Sequence, residues 1–429
     1  MKVFIYDEFG PQDSAMMQAL YSRSAESVEV HVEKVKASGS GKFMERFYVG
    51  YGHASIADCG STTIFVEGVS MLTAKAIQDW PLYSGQETSS RYIDMSKQMI
   101  IDPVGTKESK EILNKWMKFY TESQTEVQKN IMKKYPRQAG EAEDIYLKAV
   151  TARAFDTLRG FLPAGVATQF SWHTNLRQAH DKLVFLRNHP LVEVREVANK
   201  ILVVLKEKYP QSFCHIETKE QENYWKFVET KYNYYFNNKA KNFSAKTNIN
   251  KKEVGQYKDI FIKRALKTGL PNFLAELGNV TFEFLLDFGS FRDIQRHRNG
   301  VCRMPLLTTK YGFNEWYLNE LPEVVKKQAV KLIKEQAKLI NKLKIKAEDK
   351  QYYCAMGYNV TCRVSYSLPA AAYVAELRSG RLVHPTLRKI AHQMSKALIK
   401  MFPSLKLQSD FSLDEWNIRR GMQDIKEKK

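Results

Sequence analysis

The sequence predicts an α+β protein built as two similar, pseudo-symmetric halves, and three observations carry that expectation. The first is a long internal repeat. Residues 161–210 and 367–403 each read Leu-Pro, then Leu-Arg, then His-Pro, then an Arg opening a helix that stops at Pro. Arg195, Ala198 and Pro210 stand against Arg388, Ala391 and Pro403 at constant spacing. Aligned on Leu-Pro, the second copy is shorter by about fifteen residues before its Leu-Arg. The second observation is that residues 61–92 and 280–311 both read as a β-rich burst, a short helix and a polar loop. The third is capacity: 429 residues, 44% hydrophobic and 12% aromatic, can bury cores for two or three domains. The expected division is a repeat at 1–235, an Asn- and Lys-rich linker at 236–252, and a second repeat at 253–429. Two copies of one fold in a chain pack as a homodimer would.

Taken in order, MKVFIYDEFG is a short β-like burst followed by acids, without the basic start and long apolar centre of a signal peptide. No run reaches the roughly 18 apolar residues that span a bilayer. The five cysteines include no C-x-x-C pair, so the expectation is a cytoplasmic protein with reduced thiols and no metal site. Cys302 reads as a buried structural thiol, and Cys214-His215 is a poor metal site. In 324–346, Val325, Ala329, Leu332, Ile333, Ile340 and Leu343 make a helical apolar stripe with lysines on the other faces. The net charge of +19 favours anionic partners, but no nucleic-acid-binding signature accompanies it.

Three stretches could carry chemistry. His53 lies in a Gly- and Ala-rich turn, YGHASIADCG, where a structural histidine and a ligand contact are both open. YSGQETSSRY offers Ser84, Glu87, Ser89, Ser90 and Arg91 in one polar loop, suited to a phosphate or simply to a capped turn. Arg296, His297 and Arg298 follow an apolar run; at a helix end they could spread around a large polyanion or be solvated beside the macrodipole. No G-x-G-x-x-G opens a βαβ unit, and no P-loop is present.

In their order and spacing these motifs resemble the flavin-dependent thymidylate synthases, as a tandem of two divergent copies over roughly 45–210 and 270–403. That family carries a Gly-His turn, Arg-His-Arg before Ser-x-Arg-Tyr, Leu-Pro before Asn-x-Arg, and a later Leu-Arg. The first copy keeps Gly52–Ser55, Glu87, Ser89, Arg91, Arg159 before Leu162-Pro163, Asn175 and Arg177, but reads Asp79-Trp80-Pro81 where Arg-His-Arg belongs. The second keeps Arg296-His297-Arg298, yet has Leu306–Thr309 in place of Ser-x-Arg-Tyr and Pro271 in place of the turn histidine. In this alignment its Asn-x-Arg is deleted and its counterpart of Arg159 is Ser365, with Arg363 nearby.

The resemblance implies the family fold, antiparallel or mixed sheet with long helices, and one composite site from the two copies. Arg296, His297, Arg298, His53, Ser55, Glu87, Asn175 and Arg177 would bind FAD. Glu87, Ser89, Ser90, Arg91, Arg296 and Arg378 would bind dUMP, with Arg378, or alternatively Arg187, as the catalytic arginine against the uracil ring. The implied reaction is reductive methylation of dUMP to dTMP with methylenetetrahydrofolate and NADPH, in a homodimer that mimics the family tetramer. The residues leave two alternatives open, a non-catalytic nucleotide- or nucleic-acid-binding descendant and a flavin enzyme acting on another pyrimidine nucleotide.

Overall fold

Along the chain come helices α1 (Pro11–Tyr21) and α2 (Val28–Ser38), then β1 (Ser61–Ser70), α3 (Met71–Gln78), α4 (Lys107–Glu122), α5 (Gln124–Lys134) and α6 (Glu143–Leu158). They are followed by β2 (Ala167–Asn175), α7 (Leu176–Leu186), α8 (Val192–Lys208), α9 (Lys219–Asn233) and β3 (Phe243–Thr247). The last part holds β4 (Asn279–Asp287), α10 (Phe288–Ile294), β5 (Gly300–Arg303), α11 (Glu315–Asn319), α12 (Glu323–Lys342), β6 (Asn359–Ser367), α13 (Leu368–Ser379) and α14 (Pro385–Met401). The computed structural model describes residues 9–22, 24, 26–50, 53–91, 93–215, 217–233 and 242–412. The apolar N-terminal burst, Gly52 and Tyr92 of the expected motifs, and 236–241 of the expected linker lie outside the described residues.

Local sequence explains these elements. In α4 the Thr106 side chain accepts from the Ser109 amide, and Ile112, Leu113, Trp116, Phe119 and Tyr120 are buried at helical spacing. Asp287 caps α10 through the Ser290 amide, and Pro385 opens α14. Alternation in β4 buries Val280, Phe282, Phe284 and Leu286. The Lys-rich stripe forms α12 and buries Val325, Ala329 and Ile340, while Leu343 falls at its C-cap.

Two small sheets result, one with order β1-β2 and one antiparallel with order β3-β4-β6-β5. The α+β class therefore holds. The expected linker at 236–252 contains β3, which pairs with Val280–Phe284 of β4. A polar stretch can be an edge strand because only one of its faces is covered. The chain forms two compact units: unit 1 comprises 1–69, 73–87 and 168–231, and unit 2 comprises 70–72, 88–167 and 232–429. Compactness thus divides the chain differently from repetition, since α4, α5 and α6 of the first half belong to unit 2.

Inside unit 2 two turns meet through reciprocal backbone bonds. The Ala164 amide donates to the Cys354 carbonyl and the Met356 amide to the Leu162 carbonyl, both at 2.8 Å. Gly165 donates to Tyr352, and Gly357 to Gly160, at 2.9 and 2.7 Å. Each bond recurs with its partners exchanged at positions 192 residues apart, 160 with 352, 162 with 354, 164 with 356 and 165 with 357. Glycine is required there: a Cβ on Gly165 would lie 2.7 Å from the Ile101 carbonyl, and one on Gly357 2.8 Å from the Gly160 carbonyl. This register corrects the Leu-Pro alignment. Leu162-Pro163 matches Cys354-Ala355, Asn175 matches Ser367 at the ends of β2 and β6, and Arg159 matches Gln351 instead of Ser365. No segment is deleted there; Asn-x-Arg is replaced by Ser367-Leu368-Pro369. The misalignment arose because Leu-Pro occurs by coincidence at the start of α13, where Pro suits the first helical turn.

Candidate functional site

Helix α10 ends at Ile294, and the chain then turns, the His297 amide donating to the Ile294 carbonyl, so the three basic residues leave a helix end in different directions. Arg296 is 49% exposed and lies 3.8 Å from Asp293, one turn earlier. His297 turns inward and is buried. Its Nε2 accepts from Arg378 Nε at 2.7 Å, which leaves its proton on Nδ1, and its ring meets Tyr373 edge to face. Burial, then the neighbouring Arg378, pushes the His297 pKa down to about 3, so the ring is a neutral acceptor. Arg298 is half-buried and donates to the Arg296 carbonyl.

Arg378, from the last turn of α13, also donates to the Asp293 carbonyl at 2.9 Å, capping α10 with a charge. Arg159 is buried just past α6, donates to Ser290 Oγ at 3.2 Å and lies 3.8 Å from Asp293. Arg91 follows the Ser89-Ser90 turn and bonds Asp156 at 3.0 Å, while Ser89 Oγ accepts from the Arg91 amide. Asp156, fully buried, also lies 3.9 Å from Arg159.

Asp293 is the hub. Burial alone would raise its carboxyl, but the fields of Arg159, Arg296, Arg378 and Arg91 outweigh it and hold the group well below the usual carboxylate range. Four guanidiniums therefore face three carboxylates, Asp156, Asp287 and Asp293, with His297 neutral, so the cations are in excess. An excess of planar guanidiniums suits the oxygens of a phosphate.

Ser89, Ser90, Arg91, Arg296, His297, Arg298 and Arg378 all belong to unit 2, where Arg91, Arg296 and Arg378 act on Asp293 and His297 bonds Arg378. The other expected residues belong to unit 1. There Glu87 accepts from Gln78 Nε2 at 2.8 Å and Thr168 Oγ1 at 3.4 Å. Asn175 caps α7 through the Gln178 amide, and Arg177 grips Asp58 through Nε and Nη2, both at 2.8 Å. His53 and Ser55 are exposed at the start of a short helical turn. Arg187 pairs with Glu217 within unit 1. Ser365 shares a hydrogen bond with Thr281 on β4, and Arg363 lies 3.7 Å from Glu283. Sequence reasoning did not name Asp156, Asp293 or Ser290. The signal was present, because each Asp stands three residues before an Arg, one helical turn away.

Residues 7–211 match the family model described as thymidylate synthase complementing protein. Over those residues the chain is similar to that family. Its Glu87, Arg91, Arg159, Asn175 and Arg177 all fall within the matched thymidylate synthase complementing region. Similarity to curated relatives extends further along the chain. A UPF0159 protein of Thermoplasma acidophilum is 22% identical, covering 92% of this chain and 94% of its own length. UPF0159 proteins of Chlamydia muridarum and Chlamydia pneumoniae are 24% and 23% identical, each covering 85% of this chain and 79% of the relative. The family model leaves the residues after 211 uncovered, whereas similarity to the Thermoplasma acidophilum relative runs over most of the chain. Among the described residues no helix is long and apolar enough to cross a membrane.

Proposed function

We propose that the chain is a flavin-dependent thymidylate synthase made of two divergent copies, converting dUMP to dTMP with methylenetetrahydrofolate and NADPH. The observation that supports this most is the ring of guanidiniums about Asp293: Arg91 and Arg159 come from the first half of the sequence, Arg296 and Arg378 from the second. Neither half alone supplies the set. A homodimer of such chains would carry two sites instead of the four of a tetramer.

The donor set fits anionic ligands, with the charge surplus inside and Arg296 open at the edge. Ser89, Ser90 and Arg91 would take the dUMP phosphate, and Arg296 and Arg298 the phosphates of FAD. Arg378 would stand against the uracil ring, where a desolvated guanidinium stabilises developing negative charge. His297 keeps Arg378 oriented by accepting at Nε2. Bound flavin would supply the hydride and be recharged by NADPH. Asn175 and Arg177 are already engaged in a helix cap and an ion pair, and would have to release those partners to hold flavin. That engagement favours the second reading, a nucleotide-binding protein without flavin chemistry.

The visible absorption spectrum with and without dUMP tests the proposal. A flavin band that shifts on adding dUMP, together with dTMP formation, is expected. Protein that stays colourless after reconstitution with FAD but still binds dUMP would select the second reading.

A further inference from the structure

Unit 2 holds a cavity of about 470 Å³ lined from α5, α6, α11 and the stretch of α14 from Pro385 to Lys396, with none of the arginine-ring residues in its walls. Six of its lining side chains are Lys or Arg, and one, Glu320, is acidic. Its base is built rather than incidental. Arg153 is 3% exposed, donates to Glu320 at 2.7 Å, and lies between the Tyr135 and Trp316 rings, 6.0 and 5.7 Å from their centres. Arg388, Lys389, His392 and Lys396 come from one stretch of α14 and line the same space. Asp410 lies 3.6 Å from Arg381 and 3.9 Å from Arg388. With Glu320 and Asp410 set against six cations, four positive charges remain. Lys389 and Lys396 are exposed on the rim.

A single phosphate would leave most of this charge unmatched, whereas a triphosphate carries about four negative charges at neutral pH, since each terminal phosphate has a second pKa near 6. The volume is in the range of small-molecule sites and leaves space for more than the phosphate chain. The cations converge on a hollow, unlike the extended stripe with exposed stacking aromatics that tracks a nucleic acid; here the Arg153 guanidinium lies between the two rings. We propose that this cavity is a second anion site, distinct from the arginine ring, that binds a nucleoside triphosphate through its polyphosphate. This inference does not rest on the flavin chemistry.

Calorimetric titration of the full chain with ATP, inorganic tripolyphosphate and a single-stranded oligonucleotide tests it. Wild type and Arg296→Ala are expected to bind ATP equally, and tripolyphosphate more weakly. The Lys389→Glu/Lys396→Glu double variant, at unchanged thermal midpoint, should lose at least about tenfold, one decade of affinity. Lys389→Gln/Lys396→Gln should lose less and guards against a general effect of charge reversal. Unchanged ATP binding in the double variant would overturn the proposal, as would loss of ATP binding in Arg296→Ala, which would put the anion on the ring. Tripolyphosphate binding as tight as ATP would remove the nucleoside from the assignment. Oligonucleotide binding without ATP binding would make the surface a nucleic-acid contact instead.

Discussion

Asp79-Trp80-Pro81 in unit 1 and Arg296-His297-Arg298 in unit 2 hold the same place in their elements, each following a short helix that follows a nine- or ten-residue strand. In both, a cation from a later helix caps the turn: Lys182 Nζ donates to the Asp79 carbonyl at 2.9 Å, as Arg378 does to that of Asp293. What surrounds the cation differs. Lys182 is fully buried over Trp80 and Phe185, with Glu229 and Lys75 in its field, and burial pushes its pKa down to about 8. Arg378 sits among three other guanidiniums with an open edge. One corner has closed over its charge, while the other keeps an excess of cations beside an exposed edge. At Asp79-Trp80-Pro81 the space is filled, with Trp80 Nε1 donating to Gln178 at 3.0 Å.

The strongest way to break this comparison is to remove the buried member of the ring. Arg159→Ala takes from the fully buried Asp287 the cation in its field and weakens the set around Asp156 and Asp293, and a loss of about 3–5 kcal/mol is expected in a denaturant titration. A loss below 1 kcal/mol would show that water already compensates these carboxylates. The counterpart in unit 1 should behave oppositely. A folded-state pKa near 8 against the ordinary 10.5 means the charged Lys182 costs on the order of 3 kcal/mol at neutral pH. Lys182→Met is thus expected to stabilise by about 1–3 kcal/mol. Because the folded-state pKa is depressed, wild-type stability should rise with pH from about 8 to 10.5, and the variant should lack that rise.

Function is expected to follow the open corner only. Arg378→Ala should weaken dUMP binding by about 100-fold, roughly the worth of a desolvated charge-assisted pair, and Lys182→Met should leave it unchanged. Equal losses would mean that both corners bind nucleotide. The smallest effect concerns His297, whose folded-state pKa is also depressed. Its contribution is intact above about pH 6.5 and is lost as pH falls toward 3, about 1.4 kcal/mol by one unit below 6.5. His297→Gln should flatten that part of the pH–stability curve, and an unaltered acid limb would place the titration elsewhere.

Much of this was legible in the sequence because it is local. Strand, helix and polar loop at 61–92 and 280–311, the α12 stripe and the basic cluster at a helix end follow from periodicity and capping within a few residues. The register of the two halves was not. Leu-Pro looked like a shared marker, whereas the geometry that recurs is the Gly165 and Gly357 approach, visible only once Gly165 meets Tyr352 and Gly357 meets Gly160. Nor was the role of Asn175 and Arg177, whose partners Gln178 and Asp58 engage them in unit 1.

By itself the sequence determined the residue types that can meet an anion: Arg91, Arg296 and Arg378 in a +19 chain with no cysteine or phosphate-loop chemistry. It also determined the elements that carry them, because capping and apolar spacing act over one or two turns. Only the tertiary structure decided which charges remain available. Arg177 is neutralised by Asp58, Lys182 is desolvated beside Trp80, and the ring around Asp293 keeps an excess. The physical reason is that a charge is defined by its neighbours and its water, and residues 91, 159, 293 and 378 become neighbours only when the chain has folded.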